Sequence, residues 1–270
     1  MAMLSTAVLV VALTQAPQPL QWEPRADIPI SSALAVGWFL SEFAFKKQLA
    51  APQCRWCVTN GFDTAVRSVF NPGLTPSANG FAGPDLASNL IGFVGVPVLA
   101  LGLDGLLSWR SGAFLETYPV DFLLIIESLV VAQGLNQSIK FAAARGRPYT
   151  VGASPELLAE STKATDANLS FFSGHSSFVF ALVAGAANVA ELRGYKYSWL
   201  IWAVGLPLAT ATAVLRVAAD KHWTSDVLLG SVVGLATGVL VPRLLHARLG
   251  TVNLHLAPMG NGLGVAGQFQ

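Results

Sequence analysis

Three polar clusters interrupt the apolar second half of this sequence, and their residue types suit the handling of an anion. The first runs Lys140-Phe-Ala-Ala-Ala-Arg145-Gly-Arg147-Pro148, the second Ser170-Phe-Phe-Ser173-Gly174-His175-Ser176-Ser177, and the third Arg216-Val-Ala-Ala-Asp220-Lys221-His222-Trp-Thr-Ser-Asp226. Lys140, Arg147 and Arg216 offer fixed positive charge and several donors, which suits a phosphoryl group whose charge spreads over its equatorial oxygens. Ser173-Gly174-His175 opens an apolar run, so the free N–H groups of a helix start would face the same anion, with glycine permitting close approach. That puts His175 beside phosphorus. His222 and Asp226 are four residues apart, a spacing that on a helical turn predicts one shared face and a carboxylate that fixes the imidazole tautomer. Such a pair works as a general acid and base. The clusters lack the several carboxylates usual for magnesium-dependent phosphoryl transfer, so the expected chemistry needs neither metal nor cofactor.

These groups need elements that bring them together. The chain has 270 residues, 53% hydrophobic and 11% charged, with a mean hydropathy of +0.55. An average soluble domain is about 25% charged, so the solvent expected here is lipid. A net charge of +1 argues against a nucleic-acid partner, and nothing calls for an obligate protein partner. Apolar runs approaching the roughly 20 residues of a spanning helix fall at 28–45, 86–108, 120–141, 172–191, 198–217 and 225–245. Short connections between the last three imply antiparallel neighbours. Successive helices alternate direction, so all three clusters meet at one membrane face. Arg110, Arg193, Lys196, Arg243 and Arg248 fall at the other. The fold class expected is all-α, a membrane bundle of about six helices spanning 28–248, with its motif-bearing core at 120–245. Residues 1–27 form a leader or signal-like segment, 46–85 a loop with a short interfacial helix near Phe62 to Phe70, and 249–270 a tail that is either a small β-hairpin or unstructured.

The clusters resemble the three-part signature of the type 2 phosphatidic acid phosphatase superfamily. Lys140 with Arg147-Pro148 matches its first motif, Ser173-Gly174-His175 the second with Phe172 in place of Pro, and Arg216, His222 and Asp226 the third with Leu215 in place of Ser. The resemblance implies catalytic roles for His175 as nucleophile, His222 as acid and then base, and Asp226 as its orienting partner. It also implies phosphate binding by Lys140, Arg147, Ser173, Gly174 and Arg216, and a lipid phosphate or diphosphate as substrate. A phosphotransferase of the same fold, a vanadate-dependent haloperoxidase and a membrane binding protein that keeps a phosphate pocket are the rival readings.

Sidedness is less legible. Basic residues outside the three phosphate-clamp positions are nearly balanced between the two faces, so the positive-inside rule is silent. Relatives with this plan imply a bacterial inner-membrane protein whose site faces the periplasm. For this chain that requires either that the leader is retained or that Ile28 to Phe45 does not cross. Cys54 and Cys57 form a local disulfide if their loop faces an oxidising compartment, or two thiols if it does not. The loop from Tyr149 to Leu169 joins the first two clusters, and Glu156, Glu160, Lys163 and Asp166 are its candidates for contact with a head group.

Overall fold

The computed structural model describes residues 16–162 and 164–247 and the strands 252–259 and 262–269. Its helices are α1 (Pro24–Phe39), α2 (Lys46–Leu49), α3 (Gly61–Phe70), α4 (Ala82–Leu90), α5 (Val96–Arg110), α6 (Phe114–Ala143), α7 (Pro155–Ala159), α8 (Gly174–Leu192), α9 (Trp199–Ala218) and α10 (Thr224–Val241). A π-helical turn at Ile91–Gly95 joins α4 to α5, and similar turns extend α1 through Leu40–Ala44 and α10 through Pro242–His246. The six apolar runs are therefore six long helices, and the expected interfacial helix is α3. Four of these, Ala82–Arg110, Gly174–Leu192, Trp199–Ala218 and Thr224–His246, are long and apolar enough to cross a membrane. The tail forms an antiparallel hairpin, β1 (Val252–Met259) against β2 (Gly262–Phe269), with Val252 opposite Phe269.

At the centre stands α8, whose Ala, Val and Gly residues from Val179 to Ala190 are all buried. Its closest partner is α10, which runs parallel to it. Gly230, Gly234 and Gly238 form a smooth stripe four residues apart, so the two backbones can touch. A Cβ at Gly230 would lie 2.6 Å from the Ser173 carbonyl oxygen, and one at Gly234 would lie 2.6 Å from that of Ser177. This contact brings the first turns of the two helices level. The Ser173 N–H then donates to the Asp226 carbonyl at 3.0 Å.

Polar pairs fasten the end away from the clusters. Arg193 meets Asp121 at 2.6 Å, and His246 meets Glu127 at 3.1 Å. The segment before α1 is tied to this same end, with the Gln18 N–H on the Arg193 carbonyl and the Gln21 N–H on the His246 carbonyl, each at 2.9 Å. From there α1 and its π-helical turn run toward the clusters and deliver Glu42 and Lys46 beside them. Ile28 to Phe45 thus joins the two ends of the bundle.

Candidate active site

Helix α6 carries Lys140 in its last turn and stops at Ala144, which adopts a left-handed conformation (φ 43°). The chain turns back there, so Arg147 lies beside Lys140. Both line a cavity of about 420 Å³, together with Gly174 and His175 from α8, Arg216 from α9 and His222 from the following turn. Six of the eight expected site residues share this wall. Ser173 and Asp226, each fully buried, stand behind it.

Close approach at the start of α8 depends on Gly174. A Cβ there would lie 2.9 Å from Asn136 Oδ1 and 3.3 Å from Lys140 Nζ. Asn136 cannot easily retreat, because its Nδ2 donates to the Phe172 carbonyl at 2.7 Å. Ser173 caps the helix, its Oγ accepting from the Ser176 N–H at 3.4 Å. One turn of α8 therefore presents His175 half-buried at the wall. Its Nε2 lies 2.7 Å from Asn89 Oδ1 on α4, and the Phe93 ring packs against it at 4.5 Å between centroids.

The expected hydrogen bond between His222 and Asp226 is not formed. His222 precedes Trp223, the N-cap of α10, so the four-residue spacing does not fall on one helix. Asp226 instead turns back to accept from the Trp223 N–H at 3.0 Å and from the Ser170 hydroxyl at 2.5 Å, while its other oxygen pairs with Arg145. His222 Nδ1 lies 2.8 Å from the Ser170 carbonyl oxygen and 3.9 Å from Asp226 Oδ2, the latter too long for a hydrogen bond. A carbonyl can only accept, so Nδ1 bears the proton and Nε2 keeps its lone pair, 3.5 Å from Arg147 Nη1. Burial holds the His222 pKa well below its ordinary value, and the nearby Arg147, Arg216 and Lys140 add to the effect. These surroundings favour the neutral ring.

Several further residues reach the site, and of these only Asp166 is among the expected candidates. Asp85 on α4 pairs with Arg216 and lies 3.6 Å from Lys221. Asp166 lies 2.5 Å from Lys46 and 4.0 Å from Arg147. Burial alone would raise its pKa, but Arg147, Lys46 and Lys140 outweigh that and hold it at about 2. Glu42 meets Lys46 at 2.5 Å and the Gln137 amide at 2.8 Å. Of the acids in the 149–169 loop, Asp166 lines the cavity whereas Glu156 and Glu160 face solvent; Lys163 lies outside the described residues. Behind the wall, Arg145 is buried between Asp63 at 2.7 Å and Asp226, with the Trp56 ring 4.2 Å from its guanidinium carbon. Trp56 belongs to the loop closed by the Cys54–Cys57 disulfide. On the remaining side of the cavity Trp38, Phe39, Phe43, Phe93 and Phe178 form an aromatic wall.

A cluster of cations, two imidazoles and an aromatic wall thus lie at one end of an apolar bundle. The sequence model of the PAP2 superfamily matches residues 121–249, which hold every one of the eight expected site residues. Over these residues the chain is similar to the PAP2 superfamily. Among solved structures the chain is similar to the first transmembrane PAP2 type phosphatidylglycerolphosphate phosphatase from Bacillus subtilis, at 21% identity over 79% of this chain and 94% of that one, with a TM-score of 0.46. The PAP2 segment begins within α6 and runs through α10, so α1 to α5, which supply Glu42, Lys46, Asp63, Asp85 and Asn89, lie outside it.

Proposed function

We propose that this protein is an integral membrane lipid phosphatase that transfers a phosphoryl group to His175 and then to water, without a metal ion. The observation that carries this reading is the convergence of Lys140, Arg147, Arg216, His175 and His222 on one cavity whose far side is aromatic. Cations and the first N–H groups of α8 hold a phosphate; Trp38, Phe39 and Phe43 offer apolar surface to a lipid chain. Three buried polar atoms of cavity-lining residues, Arg216 Nε, Asn136 Oδ1 and Gln137 Oε1, have no hydrogen-bond partner among the described residues. An ester phosphate, with acceptor oxygens for the first and a hydroxyl-containing head group for the two amide oxygens, suits that set.

In the proposed reaction His175 attacks phosphorus through the ring nitrogen that lacks a proton, and the P–O bond to the lipid breaks. Asn89 fixes the tautomer by accepting from Nε2. Charge building on the equatorial oxygens falls among Lys140, Arg147 and Arg216, which replace the divalent ion used elsewhere. His222 gains a proton as the substrate's negative charge offsets its cationic neighbours, and gives it to the leaving alkoxide through Nε2. The neutral ring then takes a proton from the water that attacks the phosphohistidine, releasing inorganic phosphate and restoring His175.

The same reading places the protein in a bacterial inner membrane with this cavity facing the periplasm. Support comes from the Cys54–Cys57 disulfide, since such bonds persist in oxidising compartments. Its loop sits at the cavity end of the bundle, the Arg55 N–H donating to the Ala144 carbonyl at 3.0 Å. Gln18 and Gln21 then lie on the cytoplasmic side. Release of phosphate from a short-chain phosphatidic acid in detergent, and its loss in His175→Ala, tests the proposal; normal turnover by that variant sinks it.

A further inference from the structure

Charge on the cavity wall carries an inference about the substrate that deepens the lipid phosphatase reading and rests on it. Five cations line the cavity, Lys46, Lys140, Arg147, Arg216 and Lys221, against three carboxylates, Glu42, Asp85 and Asp166. The surplus is two positive charges. Each carboxylate already engages a cation or amide of the same wall, as the ion pairs of Asp166 and Glu42 with Lys46 and of Asp85 with Arg216 show.

The layer behind the wall alters this total only once, and in a way the chemistry uses. Arg67 and Asp220 meet at 2.8 Å and cancel. Arg145 faces both Asp63 and Asp226, which leaves one negative charge. Asp226 lies 3.9 Å from His222, so that charge offsets the proton His222 must hold to act as an acid. The pocket poised for reaction therefore presents two net positive charges.

A phosphate monoester carries about −1.5 to −2 at pH 7. A diphosphate terminus adds a further ionised group, beyond the two surplus charges that a single phosphoryl group takes up. Excess charge in a partly buried cavity is costly, because the local dielectric is low and water cannot screen it. We infer that this site selects lipid phosphomonoesters over lipid diphosphates, with Glu42, Asp85 and Asp166 as the residues that exclude the extra charge. Asp166 is the strongest of them, since it stands between Lys46 and Arg147 and would face a second phosphoryl group directly beside the clamp.

The test compares kcat/KM for a lipid monophosphate and a lipid diphosphate with the same tail in one detergent. The wild type should favour the monophosphate by about tenfold or more, and Asp166→Asn and Glu42→Gln should each move the diphosphate-to-monophosphate ratio upward by about tenfold. Because the ratio is taken within one preparation, partial misfolding of a variant cancels. A wild-type preference for the diphosphate, or a ratio unmoved in both variants, overturns the inference while leaving the phosphatase reading intact. Hydrolysis of neither lipid defeats the phosphatase reading. In that event calorimetric titration of the detergent-solubilised protein with inorganic phosphate and with inorganic pyrophosphate decides the charge argument: tighter phosphate binding supports it, and tighter pyrophosphate binding, or binding of neither, overturns it.

Discussion

His222 donates from Nδ1 to the backbone carbonyl of Ser170 across 2.8 Å, and the carboxylate expected to occupy that place, Asp226, holds the Ser170 hydroxyl instead. The tautomer is the one an aspartate would impose, but the acid reaches the imidazole through another residue. This arrangement predicts unequal consequences for the two side chains. His222→Asn should lower kcat by about a thousandfold or more, because it removes the proposed proton donor. Asp226→Asn keeps the carbonyl contact and should cost only about 10- to 100-fold, through a looser Ser170 and loss of the charge that offsets the His222 proton. Equal losses in steady-state assays of the two variants would contradict this division of roles.

Neutral, buried His222 also makes stability depend on pH. In the unfolded chain the ring binds a proton below about pH 6.5, whereas in the fold its pKa is depressed by burial and by Arg147, Arg216 and Lys140. Its contribution to stability is therefore fully present above that pH and is lost as pH falls toward the lower folded value, by at most about 1.4 kcal/mol per unit. Thermal melts from pH 7.5 down to pH 5 should show the wild type losing more stability than His222→Asn. Parallel curves would count against a buried neutral ring.

Gly174 should tolerate no side chain. In Gly174→Ala the new Cβ meets Asn136 Oδ1 at 2.9 Å and Lys140 Nζ at 3.3 Å, so the clamp shifts while the helix itself gains propensity. The expected result is a kcat/KM about tenfold or more below wild type with a melting temperature lowered by only a few degrees. Unchanged kcat/KM would mean that the spacing of Lys140 and the first turn of α8 is not used.

Fixed cations in place of a divalent ion imply activity in excess EDTA. Phosphate release by protein purified with and without EDTA should agree, and restoration by added Mg²⁺ after a loss would defeat the metal-free proposal.

Much of this architecture is legible in the sequence because lipid imposes a simple rule: six apolar runs must be helices, and alternation of their direction brings Lys140, His175, Arg216 and His222 to one end. What escaped the sequence has physical causes. The spacing of His222 and Asp226 reads as one helical face only if the helix already includes His222, whereas Trp223 starts it. Asp85, Glu42 and Asn89 reach the cavity from helices whose residues bear no fixed spacing to the motifs, so only tertiary packing places them. Arg145 looked like one more basic residue between Lys140 and Arg147. Its burial between Asp63 and Asp226 could not be read without knowing where α3 docks.

The most direct test of the central claim is to quench a single turnover of a lipid substrate labelled in its phosphate and to map the label by mass spectrometry. The account predicts an acid-labile phosphoryl group on His175 in the wild type, and neither label nor phosphate release in His175→Ala. Turnover with the label never found on the protein, together with normal phosphate release by His175→Ala, would contradict it.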